Sequence, residues 1–129
     1  MNPSAIKTFA LSFGAFLGLT AVMAGAMGAH ALKEVLEPDQ LASFQTAVRY
    51  QMYHALFLLL LGWNGAELHR LGRLSIAFVS AGVLLFSGSI YLLVLTEAPR
   101  WLGPITPIGG SLLIIGWGLL LVLALRRKT

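Results

Sequence analysis

Charged residues divide this sequence into four long apolar runs. No Asp, Glu, Lys or Arg falls between Lys7 and Lys33, Arg49 and Glu67, Arg73 and Glu97, or Arg100 and Arg126. The uncharged stretches, residues 8–32, 50–66, 74–96 and 101–125, hold 25, 17, 23 and 25 residues. A helix rises ~1.5 Å per residue and needs about 20 apolar residues to cross ~30 Å of hydrocarbon. Three runs suffice, and the second does so if Arg49 snorkels to the interface. The pattern predicts an all-α polytopic membrane protein, an antiparallel bundle of four transmembrane helices at about residues 8–31, 48–66, 74–96 and 101–125. No repeat or linker interrupts it, so residues 1–129 read as one domain.

The small and polar positions inside the runs predict how the helices meet. In the first helix, from about Ile6 to Leu32, the small residues Gly14, Gly18, Ala21, Gly25 and Gly28 share one face. Lipid tails are as apolar as leucine, so membrane helices associate by close packing, and a strip without side chains lets a neighbour approach. A leucine at Gly18 or Gly25 is expected to wedge that contact apart, whereas Leu120 is expected to lie exposed. Pro38 suits the first position of a second helix and Asp39 its dipole. Leu41, Phe44 and Val48 then make residues 38–49 an amphipathic outer segment running on continuously to Gly65. Ala47, Gln51, His54, Leu58 and Gly65 form a stripe expected to face protein, and Ser80, Ser87 and Tyr91 share one face of the third helix. In the fourth, Pro104, Pro107, Gly109 and Gly110 predict a kinked or partly unwound stretch.

Composition agrees with the pattern: 57% of residues are hydrophobic and 11% charged, more apolar surface than a soluble fold could hide. The net charge of +4 arises at the ends of the spans, where anionic lipid rather than nucleic acid is the expected partner. Absence of cysteine removes thiolate chemistry and disulfides. Lys7, an apolar run and Ala24-Gly25-Ala26 also describe a signal peptide, but the run exceeds a signal core of about 7–15 residues and further spans follow. Six basic residues (Lys7, Arg70, Arg73, Arg126, Arg127, Lys128) face three (Lys33, Arg49, Arg100) across the membrane. The imbalance predicts that both termini are cytoplasmic.

Four segments in order resemble a known family: Gly28-Ala29-His30-Ala31-Leu32, Arg49-Tyr50-Gln51-Met52-Tyr53-His54-Ala55-Leu56, Phe86-Ser87-Gly88-Ser89-Ile90-Tyr91 and Thr106-Pro107-Ile108-Gly109-Gly110. They are similar to the domain-of-unknown-function 423 family, also called uncharacterised protein family 0382. The resemblance covers nearly the whole chain. It implies a small multi-pass protein of bacterial inner membranes, with a eukaryotic relative called transmembrane protein 256, and no established activity, substrate or cofactor.

The predicted topology gathers His30, Arg49, Gln51, His54, Ser87, Ser89 and Thr106 in the outer half of the bilayer as a candidate polar cluster. Intramembrane polar groups are costly and suggest either a site or hydrogen bonds between helices. His30 and Glu34 stand four residues apart and, with His54, could supply three ligands to an open metal site. Ser87-Gly88-Ser89 with His54 is the one candidate nucleophile and base, and no acidic orienter accompanies it. No Asp or Glu lies inside a span, which disfavours a proton-coupled carrier and leaves His54 as the one candidate relay. The expected function is a non-catalytic packing, scaffold or assembly protein without metal or cofactor, its partners the lipid bilayer and an unidentified membrane protein. The alternative is a small-solute or ion permeation protein using the outer cluster. The charge bias predicts that reporters fused at Thr129 and within Glu67–Arg73 both read as cytoplasmic; an external signal from the Thr129 fusion overturns the orientation.

Overall fold

The structure is a computed structural model that describes residues 2–127; Lys128, counted above among the basic residues, and Thr129 lie outside them. Four long helices follow one another: α1 (Pro3–Ala29), α2 (Pro38–Trp63), α3 (Arg70–Leu95) and α4 (Ile105–Arg126). Short 3₁₀ turns at Leu32–Glu34, Ala66–Leu68 and Arg100–Leu102 connect them.

Local chemistry sets the helix ends. Asn2 caps α1, its side-chain oxygen accepting the Ala5 N–H at 2.8 Å, and Pro3 occupies the first turn, where its missing N–H costs nothing. The helix therefore starts before the expected Ile6. It also stops at Ala29, short of Leu32, with His30 as its C-cap. At the start of α2, Pro38 takes the first position and Gln40 accepts the Glu37 N–H at 3.1 Å. The same helix ends two residues short of Gly65: the Asn64 side chain donates to the Leu60 carbonyl at 2.8 Å, and Gly65 reverses the chain at φ +74°. Only glycine adopts that left-handed conformation without strain.

The expected break in the fourth helix is absent, because α4 runs continuously from Ile105 to Arg126. Pro104 is its N-cap and Pro107 falls in its first turn, where N–H groups have no intrahelical acceptor to lose. Between α3 and α4, the backbone outside α-helix is confined to residues 96–104.

The helices pack in chain order, α1 on α2, α2 on α3, and α3 on α4, the last interface being the most extensive. Since α1 and α4 share no comparable interface, the bundle is an open row of two hairpins. Glycines bring the second hairpin closest. A Cβ on Gly109 would overlap the backbone of Phe86 in α3, one on Gly116 would collide with Val79, and one on Gly82 would lie 2.9 Å from the Leu113 nitrogen. Along α1 the fit is uneven. A Cβ on Gly14 would lie 3.0 Å from the Ala55 carbonyl oxygen and one on Gly28 3.0 Å from the Phe44 ring, but Gly18 and Gly25 have room for a Cβ, with nearest atoms at 3.8 and 3.5 Å. Leu120, expected to be exposed, is half-buried against the core formed by residues such as Leu17, Leu58, Val79 and Leu113.

Outward faces carry large exposed apolar side chains on every helix, among them Leu19, Leu56, Leu84, Ile114 and Leu125. Such a surface is stable in lipid and unstable in water. Three segments, Pro3–Ala29, Arg70–Leu95 and Arg100–Arg126, are long and apolar enough to cross a membrane. With 26 residues, α2 matches them in length, and Arg49, Gln51 and His54 lower its hydropathy. Its polar positions and its place between α1 and α3 make it the connecting helix of the row.

The glycine geometry yields a directional expectation. Gly109→Ala loses roughly 3 kcal/mol, the upper end for overpacking against atoms that cannot yield. By contrast Gly18→Ala is neutral or gains up to ~1 kcal/mol of helix propensity. Thermal unfolding in detergent measures both, and equal stability of the two variants contradicts the packing description.

Candidate functional site: a polar network between helices

The seven candidate polar residues do not form one cluster. His30 is exposed at the end of α1, and Arg49 is exposed on α2, where its guanidinium donates to Thr46 Oγ1 at 3.4 Å. The remaining five divide into three hydrogen-bonded junctions.

Gln51, 6% exposed, is the most connected side chain. Its amide nitrogen donates to the Leu17 carbonyl at 2.9 Å and to Thr20 Oγ1 at 2.7 Å, both on α1. Its oxygen accepts from the Tyr91 hydroxyl of α3 at 2.6 Å. One side chain of α2 therefore ties three helices. One helical turn earlier on α2, the Ala47 carbonyl accepts from Ser87 Oγ of α3 at 2.8 Å. The Tyr50 ring stacks on Phe86, centroids 4.7 Å apart, and extends the same α2–α3 seam.

His54 forms the second junction, between α2 and α4. Its Nδ1 lies 2.6 Å from the Tyr50 carbonyl, and the Trp117 indole N–H donates to Nε2 at 3.1 Å. A carbonyl requires a donor and an indole N–H an acceptor, so the contacts specify a neutral imidazole with its proton on Nδ1. Trp117 also meets Phe57 edge-on at 4.5 Å between centroids. Both ring nitrogens of His54 are thus occupied.

The third junction joins α3 and α4. Ser89 Oγ and Thr106 Oγ1 are 2.5 Å apart, and closer to the other end Ser75 Oγ donates to the Gly116 carbonyl at 2.7 Å. Serine is small enough to let the helices approach while supplying a bond across the gap.

The residues paired by the sharper chemical readings lie apart. His54 and Ser87 are not bonded to each other: the serine donates to a backbone carbonyl and the imidazole acceptor holds an indole. His30 and Glu34 do not share a helix, because α1 ends at Ala29 and Glu34 lies in the following 3₁₀ turn. Among the described residues no three His, Cys, Asp or Glu side chains are placed to hold a metal ion.

Sequence reasoning missed several participants. Thr20 and Trp117 gave no local signal, since their roles depend on partners 31 and 63 residues away. Ser75, Gly82 and Gly116 look like ordinary small residues of a membrane helix. Glu67, which bounds the second apolar run, is 4% exposed, and its Oε2 has no hydrogen-bond partner. Arg73, nearby in sequence, donates instead to the Glu67 backbone carbonyl at 3.1 Å. Ser80 Oγ is likewise buried without a partner.

Two furrows flank the network. One, about 440 Å³, runs between α1 and α3 over Gln51, with Phe13, Leu17, Val83 and Leu95 among its walls. The other, about 660 Å³, lies between α2 and α4 beside His54, Tyr53, Ile114 and Trp117, and Thr106 does not line it. Both walls are overwhelmingly apolar.

An open row of apolar helices with its polar groups turned inward defines a multi-pass membrane protein. The family described as Protein of unknown function (DUF423) matches residues 24–110, and the chain belongs to that family. A UPF0382 membrane protein of Staphylococcus aureus is 42% identical over 109 residues, covering 84% of this chain and 88% of the relative. The UPF0382 membrane protein YwdK of Bacillus subtilis is 39% identical over 123 residues, 94% of this chain and 98% of its own. The UPF0382 inner membrane protein YgdD of Escherichia coli is 36% identical over 126 residues, 93% and 92% of the two chains. No solved structure matches.

The different reach of the junctions sets an order of stabilities. Hydrogen bonds between membrane helices contribute about 0.6 kcal/mol on average and up to about 1.7. Gln51→Leu removes three and is expected to cost about 2 kcal/mol. His54→Leu, which removes one bond between helices, costs about 1 kcal/mol. Unfolding in mixed micelles measures the order; a His54 variant weaker than the Gln51 variant contradicts it.

Proposed function

We propose that this protein is a non-catalytic scaffold or assembly element of a bacterial cytoplasmic membrane, crossing it four times with both termini in the cytoplasm. One observation carries the reading: Gln51, His54, Ser87 and Ser89, the buried members of the candidate cluster, are all hydrogen-bonded to other parts of the protein. A permeation path needs polar groups free to replace a solute's hydration, and a hydrolase needs a nucleophile within reach of a base. Here the hydroxyls, amide and imidazole hold helices together.

The inner-membrane assignment is supported by the name of the Escherichia coli relative, an inner membrane protein, and the orientation by the excess of basic residues at the end holding the termini. For α2 to span, its exposed Arg49 reaches the outer interface while Gln51 and His54 stay covered by α1, α3 and α4. A 26-residue helix is about 39 Å long, which exceeds the hydrocarbon thickness.

Reconstitution separates this reading from permeation. Liposomes containing the full chain are expected to leak protons, potassium and glycerol at the rate of protein-free liposomes, while copurification from native membrane retrieves a defined membrane protein. A flux well above background that Gln51→Leu or His54→Gln abolishes would replace the scaffold reading with permeation.

A further inference from the structure

Below Trp117 the second furrow gives way to another hollow, at the end of the molecule that holds both termini. Trp117 closes the space between α2 and α4 by its contacts with His54 and Phe57. Further along, Leu60, Leu61, Leu120 and Leu123 wall a crevice of about 340 Å³ between α2 and α4. It adjoins a second hollow of about 520 Å³, and His69, Leu123 and Arg127 line both. Arg126 completes the mouth. His69 and both arginines are exposed, and no Asp or Glu is among the described residues lining either space. Glu67, in the neighbouring turn, does not line them.

We propose that this crevice binds an anionic glycerophospholipid, one acyl chain lying between α2 and α4 and the phosphate held at the mouth by Arg126 and Arg127. The chemistry changes along the crevice as it does along a lipid: branched aliphatic walls at acyl-chain depth, then guanidinium groups where the last turn of α4 leaves the apolar region. Arginine binds phosphate oxygens in a bidentate, planar manner that lysine cannot reproduce. Basic residues at a membrane surface attract anionic lipid, and basic pockets between spanning helices select particular head groups. A second copy of this chain is a poorer occupant, since a parallel neighbour would present the same basic end to this mouth. The proposal rests on the cytoplasmic orientation only for the leaflet concerned: a reversed chain would bind the same lipid from the other side.

Native mass spectrometry of the full chain in detergent, titrated with phosphatidylglycerol or phosphatidylcholine, tests the proposal. Wild type is expected to retain one phosphatidylglycerol with clear preference over phosphatidylcholine. The paired change Arg126→Gln and Arg127→Gln reduces phosphatidylglycerol affinity roughly five-fold per arginine, about twenty-five-fold together. Ala124→Trp, which fills the crevice from α4, lowers retention of both lipids. The opposite-end pair Lys33→Gln and Arg49→Gln serves as the control and leaves binding unchanged. All four substitutions of charge are at exposed positions, so unfolding does not confound them. Unchanged phosphatidylglycerol preference in the Arg126/Arg127 variant, or an equal loss in the control, overturns the proposal. Neither result depends on whether the protein passes solutes, so this site and the scaffold reading fail separately.

Discussion

The Gln51 side chain supports the architecture because it binds both helices of the first hairpin to the second. Lipid supplies little drive for apolar helices to associate, so each interface needs either close backbone approach or a bond that hydrocarbon cannot offer. The α3–α4 hairpin has the first at Gly82, Gly109 and Gly116, and the α1–α2 hairpin has it at Gly14 and Gly28. The α2–α3 seam is less extensive than either and is joined by Gln51, Tyr91, Ser87 and the Ala47 carbonyl. Three of the amide's hydrogen-bonding positions are filled, so an otherwise expensive buried group becomes a strut across α1, α2 and α3.

That constraint explains the position of the furrows. Because the helices associate in chain order, α1 and α3 lie on either side of α2 without a shared interface, and α2 and α4 relate to α3 in the same way. Each gap is closed at one depth, by Gln51 with Thr20 and Tyr91 on one side and by His54 with Trp117 on the other. Elsewhere the gaps remain apolar furrows. The most basic one lies at the terminal-bearing end, where helix geometry and charge together favour a lipid phosphate.

Much of this was legible because membrane spans obey two strong rules, long apolar runs and charges at their ends. The four helices follow from the positions of Lys, Arg, Asp and Glu, and Pro38 marks the start of α2. Helix termini were less legible, since Asn2, His30 and Gly65 act through local hydrogen bonds and dihedral angles that hydropathy does not encode. Pro107 misled because a proline's effect depends on which turn it occupies, and it occupies the first. The small-residue face of α1 was visible, but which glycine is tight depends on the opposing atom: Leu59 and Phe44 crowd Gly14 and Gly28, while Ala55 and Val48 leave space at Gly18 and Gly25. The polar residues were identifiable singly; their partners were not, because those lie on other helices.

A double-mutant cycle between Gln51→Leu and Tyr91→Phe measures the strut most directly, as both groups lie within one hydrogen bond and neither change alters the glycine contacts. Measured by reversible unfolding of the full chain in mixed micelles, the two changes are expected to be less costly together than the sum of their separate effects, with a coupling of about 1 kcal/mol. Strictly additive losses would show that the two side chains do not hold the hairpins together, and would contradict the account.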